Sequence, residues 1–396
     1  MPISHSVDKI TQTICKVTDY GAKGDNITED TLAIQQTIDN CGTIIFPAPG
    51  TYLTRSINIT GSSKWFNIEQ GATIIAWPDT NTYNISSAVN SLITTLPWIN
   101  NYTNISFYGG GKIDGQGWRW WPYLKTRSRP RLLSVINVNG LYVTNITLYD
   151  SPSWNTQFEG SNMRITNLTI ISNKDSCNGW EEAPNTDGVN IAASNNVYIS
   201  DIYVHNGDDC IPVNAGPGNV STYNIYAERI YCECGTNGGV VIVPGNTTVY
   251  NVTFKDMVVK NTNQGAGIKI SEAYDYPHGL IYNILWQNIT IITPRYAGVY
   301  TNMFQEDATN CASQPVPNNG PNWLTSQNIT FQDIYGTLNS TTPSGCFLCN
   351  EDSPCTDTNF INVNFQLLNG TEGNSYICKN IEPGMRIESL PVPCQG

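Results

Sequence analysis

The sequence predicts an all-β fold, a single-stranded right-handed parallel β-helix (a solenoid) with a short N-terminal capping helix. Only 13% of the 396 residues are charged, which suits strands and polar turns better than surface helices. Similar short phrases recur along the chain, and apolar and polar residues alternate within each phrase. Convincing helical periodicity occurs only once, near the amino terminus.

The expected helix spans roughly Thr28 to Asp39 and is amphipathic with polar residues at its start. It should cover the hydrophobic cross-section at the end of the solenoid. Residues 15–60 are expected to form this cap and the first coils, and residues 340–396 the last coils and a disulfide-rich tail. The whole chain, residues 1–396, is therefore predicted to be one domain.

The repeat consists of six-residue phrases such as Val143–Leu148 and Trp286–Ile291, which share an apolar fourth position. Successive fourth positions lie 22 to 45 residues apart. A propeller blade would need regular hairpins and a helical solenoid would need periodic helices, so the repeat favours neither of these folds. Stacked coils lie about 4.8 Å apart, so residues one coil apart in sequence become neighbours. The fourth positions are Ile146, Leu168, Ile202, Ile230, Met257, Ile289 and Ile334.

The charge balance excludes several classes of partner. With 20 Lys and Arg against 32 Asp and Glu, the net charge is -12 and no basic stripe occurs, which argues against nucleic-acid binding. An acidic chain does not attract a polyanion at long range, so an anionic sugar would have to be held by local cations. No apolar run approaches the roughly 18 residues of a membrane span, so no membrane partner is expected. We expect a monomer.

Cysteine usage and glycosylation motifs favour a secreted, extracellular glycoprotein. The twelve cysteines lack the paired CxxC motifs of a zinc site, so disulfides are the better interpretation. Fourteen N-x-S/T motifs agree with a secretory route, although several lie inside the repeated Asn-Ile-Thr phrase and could serve the strands instead. No metal and no cofactor are expected.

Three phrases in the middle coils carry the candidate chemistry, namely Pro184–Asn190, Val204–Asn214 and Gly265–Ile270. Asp187 and Asp208 are 21 residues apart, about one coil, so stacking should place both carboxylates on one surface.

Lys269 lies two further coils along the chain. Paired carboxylates beside a cation suit hydrolysis of a glycosidic bond, in which one protonates the leaving oxygen and another activates water. Crowded carboxylates also raise one another's proton affinity. An Asp-Asp pair by itself is an ordinary solvated turn; the combination at coil spacing carries the prediction.

Several motifs give the chain a resemblance, over nearly its whole length, to the polygalacturonases and rhamnogalacturonan hydrolases of glycoside hydrolase family 28. They are Asp19–Asp25, Gly110–Gly117, Ser151–Trp154, Asn185–Asp187 and Gly207–Asp209. The resemblance implies inverting hydrolysis of a pectic polysaccharide backbone.

In this resemblance Asp208 is the general acid, and Asp187 and Asp209 activate the water. Lys269 and Tyr296 then belong to the subsite that binds a substrate carboxylate. Asn185 completes the first catalytic motif as a substrate-binding residue. The resemblance also implies the disulfides Cys15–Cys41, Cys210–Cys232 and Cys349–Cys355.

The sequence departs from the family pattern at two helper positions. The stretch Cys234–Gly239 lacks the family's histidine, so Asn237 or Gly238 stands in its place. Gly267 replaces the arginine that usually precedes the lysine, and glycine cannot form a bidentate clamp on a uronate. His278 is a candidate substitute in the groove, with an exposed loop histidine as the alternative.

These losses leave three functions open. The first is a hydrolase with altered pectic specificity, either exo-acting or rhamnogalacturonan-like. The second is an ordinary polygalacturonase in which other residues compensate for the missing histidine and arginine. The third is a weak or inactive relative that binds pectin. A pectate lyase with the same solenoid would need calcium-binding acidic residues and a cationic base, usually arginine. The middle coils offer only Arg164 and Arg229, neither of them in a motif.

Overall fold

All 26 strands of the described residues belong to one long sheet, in which strands from successive coils pair in parallel. The single antiparallel pair among the described strands joins two strands near the carboxyl end. The predicted all-β parallel solenoid is therefore confirmed. The computed structural model describes residues 13–79, 91–96, 101–123, 129–175, 177, 182–216, 220–243, 247–270, 279–302, 325–349, 354–373, 375–383 and 394.

From Ile191 to Leu367, long strands of 12 to 15 residues alternate with short strands of 4 to 7 residues. One α-helix, α1 (Thr31–Asn40), and three 3₁₀ helices, Val17–Tyr20, Gly117–Arg119 and Trp121–Tyr123, complete the described elements. The strands are β1 (Ile14–Lys16), β2 (Asp25–Glu29), β3 (Thr43–Phe46), β4 (Thr51–Thr54), β5 (Ile57–Ile59), β6 (Trp65–Ile68), β7 (Thr73–Ala76), β8 (Ser91–Thr95), β9 (Tyr102–Tyr108), β10 (Lys112–Asp114), β11 (Arg131–Tyr149), β12 (Thr156–Ile171), β13 (Ile191–His205), β14 (Ile211–Asn214), β15 (Thr222–Glu233), β16 (Gly239–Val243), β17 (Thr248–Lys260), β18 (Gln264–Ile270), β19 (Leu280–Ile292), β20 (Ala297–Asn302), β21 (Thr325–Leu338), β22 (Gly345–Leu348), β23 (Cys355–Leu367), β24 (Glu372–Gly373), β25 (Tyr376–Lys379) and β26 (Ile381–Pro383).

The apolar fourth positions of the repeat form a continuous column inside the solenoid. Ile146 pairs with Leu168, which pairs with Ile202, and the register continues coil by coil to Ile334. None of the seven side chains is more than 3% exposed. The predicted repeat is thus confirmed, and the alternation within each phrase is what directs these side chains inward.

Asparagines mark the bends of the coils. Asn196, Asn224 and Asn251 adopt left-handed backbone conformations with φ of about 55°, which asparagine tolerates better than most residues. Their side-chain amides bond from coil to coil, Asn224 to Asn196 at 3.2 Å and Asn251 to Asn224 at 3.1 Å. Asn145 and Asn167, which lie in N-x-S/T motifs, adopt the same conformation and bond to each other at 3.3 Å, so asparagines of the repeated phrase also have a structural function in the ladder.

Helix α1 lies against the amino-terminal end of the core. It begins at Thr31, three residues later than predicted, because residues 25–29 pair as strand β2 with β4. Its apolar face buries Ile34 and Ile38 completely within the main core. No helix among the described residues is long and apolar enough to cross a membrane.

Candidate functional site

The candidate site lies where equivalent positions of four successive coils stack next to one another. The backbone carbonyls of Asp187, Asp209 and Asn237 each accept an N–H from the preceding coil at 2.8 Å. These bonds place Trp154, Asp187, Asp209 and Asn237 on adjacent rungs, about 4.8 Å apart. The site is therefore formed by polar side chains from several coils, and no single segment of the chain supplies all of them.

The three predicted carboxylates form a compact buried cluster. Oxygens of Asp187, Asp208 and Asp209 lie within 4.8 Å of one another, although the residues are only 6%, 7% and 2% exposed. The ammonium of Lys269 lies 2.8 Å from Asp209 Oδ2, and this lysine is also buried. The sequence prediction that coil stacking gathers these carboxylates is confirmed.

The crowding changes how the carboxyl groups hold protons. Burial and then the charge of Asp209 raise the pKa of Asp208 to about 7, although Lys269 acts in the opposite direction. Burial and then the charges of Asp208 and Asp209 hold the pKa of Asp187 well above its usual range. Because both pKa values are raised, the cluster retains a proton near neutral pH.

Hydrogen bonds hold the cluster in one geometry. The Thr236 hydroxyl lies 2.9 Å from Asp208 Oδ1 and 2.5 Å from Asp209 Oδ1, so its single proton can serve either carboxylate. The Asn237 amide donates to Asp209 Oδ1 at 2.5 Å, and the Tyr300 hydroxyl donates to the Asn237 carbonyl at 2.6 Å. Asp209 therefore has donors on both oxygens, the arrangement that an anionic carboxylate requires.

One buried polar atom in the cluster lacks a partner. Asp187 Oδ1 is inaccessible to solvent and makes no hydrogen bond to any described residue. A buried acceptor without a donor costs stability unless a water or ligand satisfies it. Asp187 is consequently the carboxylate of the cluster whose hydrogen-bonding capacity the described residues satisfy least.

The cluster could also hold a cation, because three carboxylate oxygens approach one another closely. The ammonium of Lys269 already lies against Asp209 and supplies a positive charge there. A second group, Cys177, His205 and Cys234, has metal-site geometry, but its cysteines form a disulfide and so are not thiolate ligands.

Two arginines at the site escaped the sequence analysis. Arg129 is 8% exposed and donates to the carbonyls of Pro152 and Pro184 and to Asn185 Oδ1, at 2.8, 2.5 and 2.6 Å. It thereby fixes the segment that leads into Asp187. Burial lowers the pKa of Arg129, and the charges of Asp208 and then Asp187 oppose this shift.

The second is Arg131, whose pKa is lowered by burial, while the charges of Glu159 and then Asp187 act in the opposite direction. The expectation that Arg164 and Arg229 exhaust the arginines available to the middle coils is therefore wrong. Arg229 instead forms a surface ion pair with Asp201 at 2.7 Å. In the sequence Arg129 is noticeable only as the residue before Pro130, and this pattern does not indicate a functional site.

The remaining predicted residues are distributed as follows. Tyr296 is half-buried, donates its backbone N–H to Asn263 at 2.7 Å and makes no side-chain hydrogen bond to a described residue. His278 lies outside the described residues. The described disulfides are the three pairs that the resemblance implies, Cys15–Cys41, Cys210–Cys232 and Cys349–Cys355, with Cys177–Cys234 and Cys378–Cys394 in addition.

Known proteins resemble this chain over most of its length. The family model for glycosyl hydrolases family 28 matches residues 45–389. Polygalacturonase-2 of Solanum lycopersicum is 25% identical over 402 residues, which cover 96% of this chain and 81% of the relative. The probable rhamnogalacturonase E of Aspergillus flavus is 26% identical, with 96% of this chain and 78% of the relative covered.

Solved structures show the same fold. The endo-xylogalacturonan hydrolase from Aspergillus tubingensis superimposes with a TM-score of 0.73 at 21% identity, covering 94% of this chain and all of that one. The polygalacturonase from Erwinia carotovora gives a TM-score of 0.71 at 20% identity, covering 96% and 98% of the two chains.

Proposed function

The chain belongs to glycosyl hydrolase family 28, and from this premise we propose that it hydrolyses α-glycosidic bonds in the backbone of a pectic polysaccharide. The family resemblance noted from the motifs is thereby confirmed, and with it the assignment to the glycoside hydrolases. The observation that carries the proposed mechanism is the buried cluster of Asp187, Asp208 and Asp209, in which one carboxyl group has a pKa of about 7.

Asp208 acts as the general acid in this proposal. A carboxyl group whose pKa is about 7 still carries its proton in mildly acidic solution and loses it readily to the leaving glycosidic oxygen. Thr236 and the backbone N–H of Asp209 both contact Asp208 Oδ1 at 2.9 Å, which leaves Oδ2 to carry the proton toward the substrate.

Asp187 and Asp209 bind and activate the water. The proposed roles require a reactive state in which Asp208 is protonated and Asp187 is ionised, so the proton that burial favours on Asp187 must leave before the attack. The ionised Asp187 carboxylate then accepts one hydrogen of the water, and removal of that proton accompanies attack on the anomeric carbon. Lys269 balances the charge of Asp209 and is a cation of the cluster that can bind a uronate carboxylate next to the scissile bond.

Stereochemistry requires a separate test. The resemblance to family 28 implies inversion. The carboxylate oxygens, however, lie within 4.8 Å of one another, which is closer than the roughly 6.5–9.5 Å usual between the two carboxyl groups of an inverting enzyme. We propose inversion, because two carboxylates sharing one water need less space than a single base that faces the acid across the sugar. Proton NMR of the first-formed reducing end checks this, and an initial product with the substrate's anomeric configuration would contradict it.

An extracellular location also forms part of the proposal. Five disulfides occur among the described residues, a number that fits an oxidising compartment. Detection of the native protein in the medium of its source cells, and not in their cytosol, is the expected result. A cytosolic protein with reduced cysteines would contradict this location.

The hydrolase activity is tested with polygalacturonate and a rhamnogalacturonan backbone, measuring new reducing ends and unsaturated uronides separately. We expect reducing ends without unsaturated product, and Asp208→Asn should abolish their release. Asp201→Asn is the matched control, because Asp201 lies on the surface in a pair with Arg229 and its loss should leave activity unchanged. Unsaturated product would indicate β-elimination, and no product from either polymer would indicate a binding protein.

A further inference from the structure

A second polar group lies on the amino-terminal side of the carboxylate cluster, in the two coils that precede Asp187. Trp154 occupies the rung directly before Asp187, and its carbonyl accepts the N–H of Leu132, which places Arg131 one coil further away. The Arg131 guanidinium lies over the Trp154 ring, 4.2 Å from its centroid. This group is therefore continuous with the proposed catalytic site.

A chain of side-chain hydrogen bonds connects the members of the group. Arg131 Nη1 donates to the carbonyl oxygen of Gln157, and the Gln157 amide donates to Glu159 Oε1. All three side chains are only partly exposed. Glutamine thus acts as a neutral bridge that keeps the guanidinium and the carboxylate close together without a direct contact.

The group shares a face of the sheet with Lys269. The register runs from Glu159 to Ala192, then to Asn214, to Ile242 and finally to Lys269. Four rungs of about 4.8 Å separate the two ends, a distance of about 19 Å. The Lys269 side chain reaches back to Asp209, which lies two rungs beyond Trp154, so its ammonium is about two rungs, roughly 10 Å, from this group along the solenoid.

The charges of Arg131 and Glu159 compensate each other. Burial lowers the pKa of Arg131, and the carboxylate of Glu159 is the largest contribution that opposes this shift. Burial raises the pKa of Glu159, while the Gln157 bond and the charge of Arg131 lower it. A uronate placed here would meet a guanidinium whose charge is already balanced and a carboxylate that repels it.

Neutral sugars fit the same group well. Arg131 Nε and Nη2 have no hydrogen-bond acceptor, and Glu159 Oε2 has no donor, among the described residues. One sugar hydroxyl can donate to Glu159 while a neighbouring hydroxyl accepts from Arg131, and the Trp154 ring supplies an apolar surface beside them. A site that offers both a donor and an acceptor matches two neighbouring hydroxyl groups better than a carboxylate, which can only accept hydrogen bonds.

Taking the hydrolase function proposed above as its basis, we propose that Arg131, Trp154, Gln157 and Glu159 form a subsite for a neutral sugar. The preferred substrate is then a pectic backbone in which neutral sugars alternate with uronates. A homogalacturonan, with a carboxylate on every residue, is the poorer substrate because it must place one of these beside Glu159.

The test compares kcat/KM on a debranched rhamnogalacturonan backbone and on polygalacturonate, for the wild-type chain and for Glu159→Gln. The wild type should prefer the alternating backbone. Glu159→Gln leaves Arg131 without its counter-charge, so the ratio of the two kcat/KM values should shift toward polygalacturonate by about tenfold or more. The matched control, Glu233→Gln, removes a glutamate that pairs with Lys260 on another face and should leave the ratio unchanged.

The outcomes separate this inference from the proposed function. Activity on polygalacturonate should rise in absolute terms in Glu159→Gln, which general damage to the fold cannot produce. A parallel loss on both polymers, or an unchanged ratio, would overturn the subsite. The wild-type preference needs no substitution, so a preference for polygalacturonate overturns the inference even if the variant fails to fold. Absence of hydrolysis on both polymers would instead overturn the proposed function.

Discussion

Replacing Asp208 by asparagine should inactivate the protein and at the same time stabilise it at neutral pH. A carboxyl group buried next to another carboxylate is costly to ionise, and the raised pKa measures that cost. Because the pKa of Asp208 is about 7 in the folded chain and 3.8 in its ordinary state, the penalty at pH 7 is about 4 kcal/mol.

The sign follows from proton binding. Below about pH 4 the carboxyl group is protonated in both the folded and the unfolded chain, so it imposes no penalty. Between about pH 4 and 7 the folded chain holds the proton that the unfolded chain releases, so the stability falls as pH rises. An asparagine does not titrate, and its carbonyl oxygen can keep the contacts from Thr236 and from the Asp209 N–H.

We therefore expect Asp208→Asn to unfold with a free energy about 2–4 kcal/mol higher than the wild type at pH 7, and with no difference at about pH 3.5. Urea denaturation followed by circular dichroism at both pH values measures this. Asp201→Asn serves as the control of opposite sign, since Arg229 and Ser200 lower the pKa of Asp201. Equal stability at pH 7, or a difference that persists at pH 3.5, would refute the reasoning.

Three other predictions concern the same cluster. Lys269→Met should lower the free energy of unfolding by about 3–5 kcal/mol in denaturant titrations, because the buried Asp209 carboxylate loses its ammonium. Hydrolysis measured by reducing ends should show kcat/KM falling about tenfold per pH unit above about pH 7, where Asp208 loses its proton. Thr236→Val should move that alkaline limb to higher pH, because the Thr236 hydroxyl lowers the pKa of Asp208.

Each of these outcomes has its own control. Adding Asp209→Asn to Lys269→Met should restore most of the lost stability, and an unrestored double variant would mean that the ion pair is not the cause. A pH profile that stays flat to pH 9 would remove Asp208 from the role of acid. Thr236→Ser keeps the hydroxyl and should leave the alkaline limb in place; a shift as large as that of the valine variant would contradict the hydrogen-bond explanation.

The sequence by itself determined the architecture. Alternation within each phrase specifies which side chains enter the core, and this property is local, so the residue pattern alone sufficed to predict the buried column from Ile146 to Ile334. Spacing of about one coil also sufficed to place Asp187 and Asp208 on one surface, although the residue on the rung next to Asp187 is Asp209. The start of helix α1 was misplaced by three residues, because the pairing of β2 with β4 competes with helix formation there.

Only the tertiary structure revealed the groups that surround the carboxylates. Arg129 donates a hydrogen bond to Asn185, which lies 56 residues later in the sequence, and Glu159 is connected to Arg131 only by hydrogen bonds through Gln157. The coils differ in length, so the residues that stack on each rung cannot be counted from the sequence. Proton affinities depend further on burial, which is a property of the assembled solenoid. Sequence thus determined which carboxylates meet, and tertiary packing determined their charges and the neighbours that a sugar would contact.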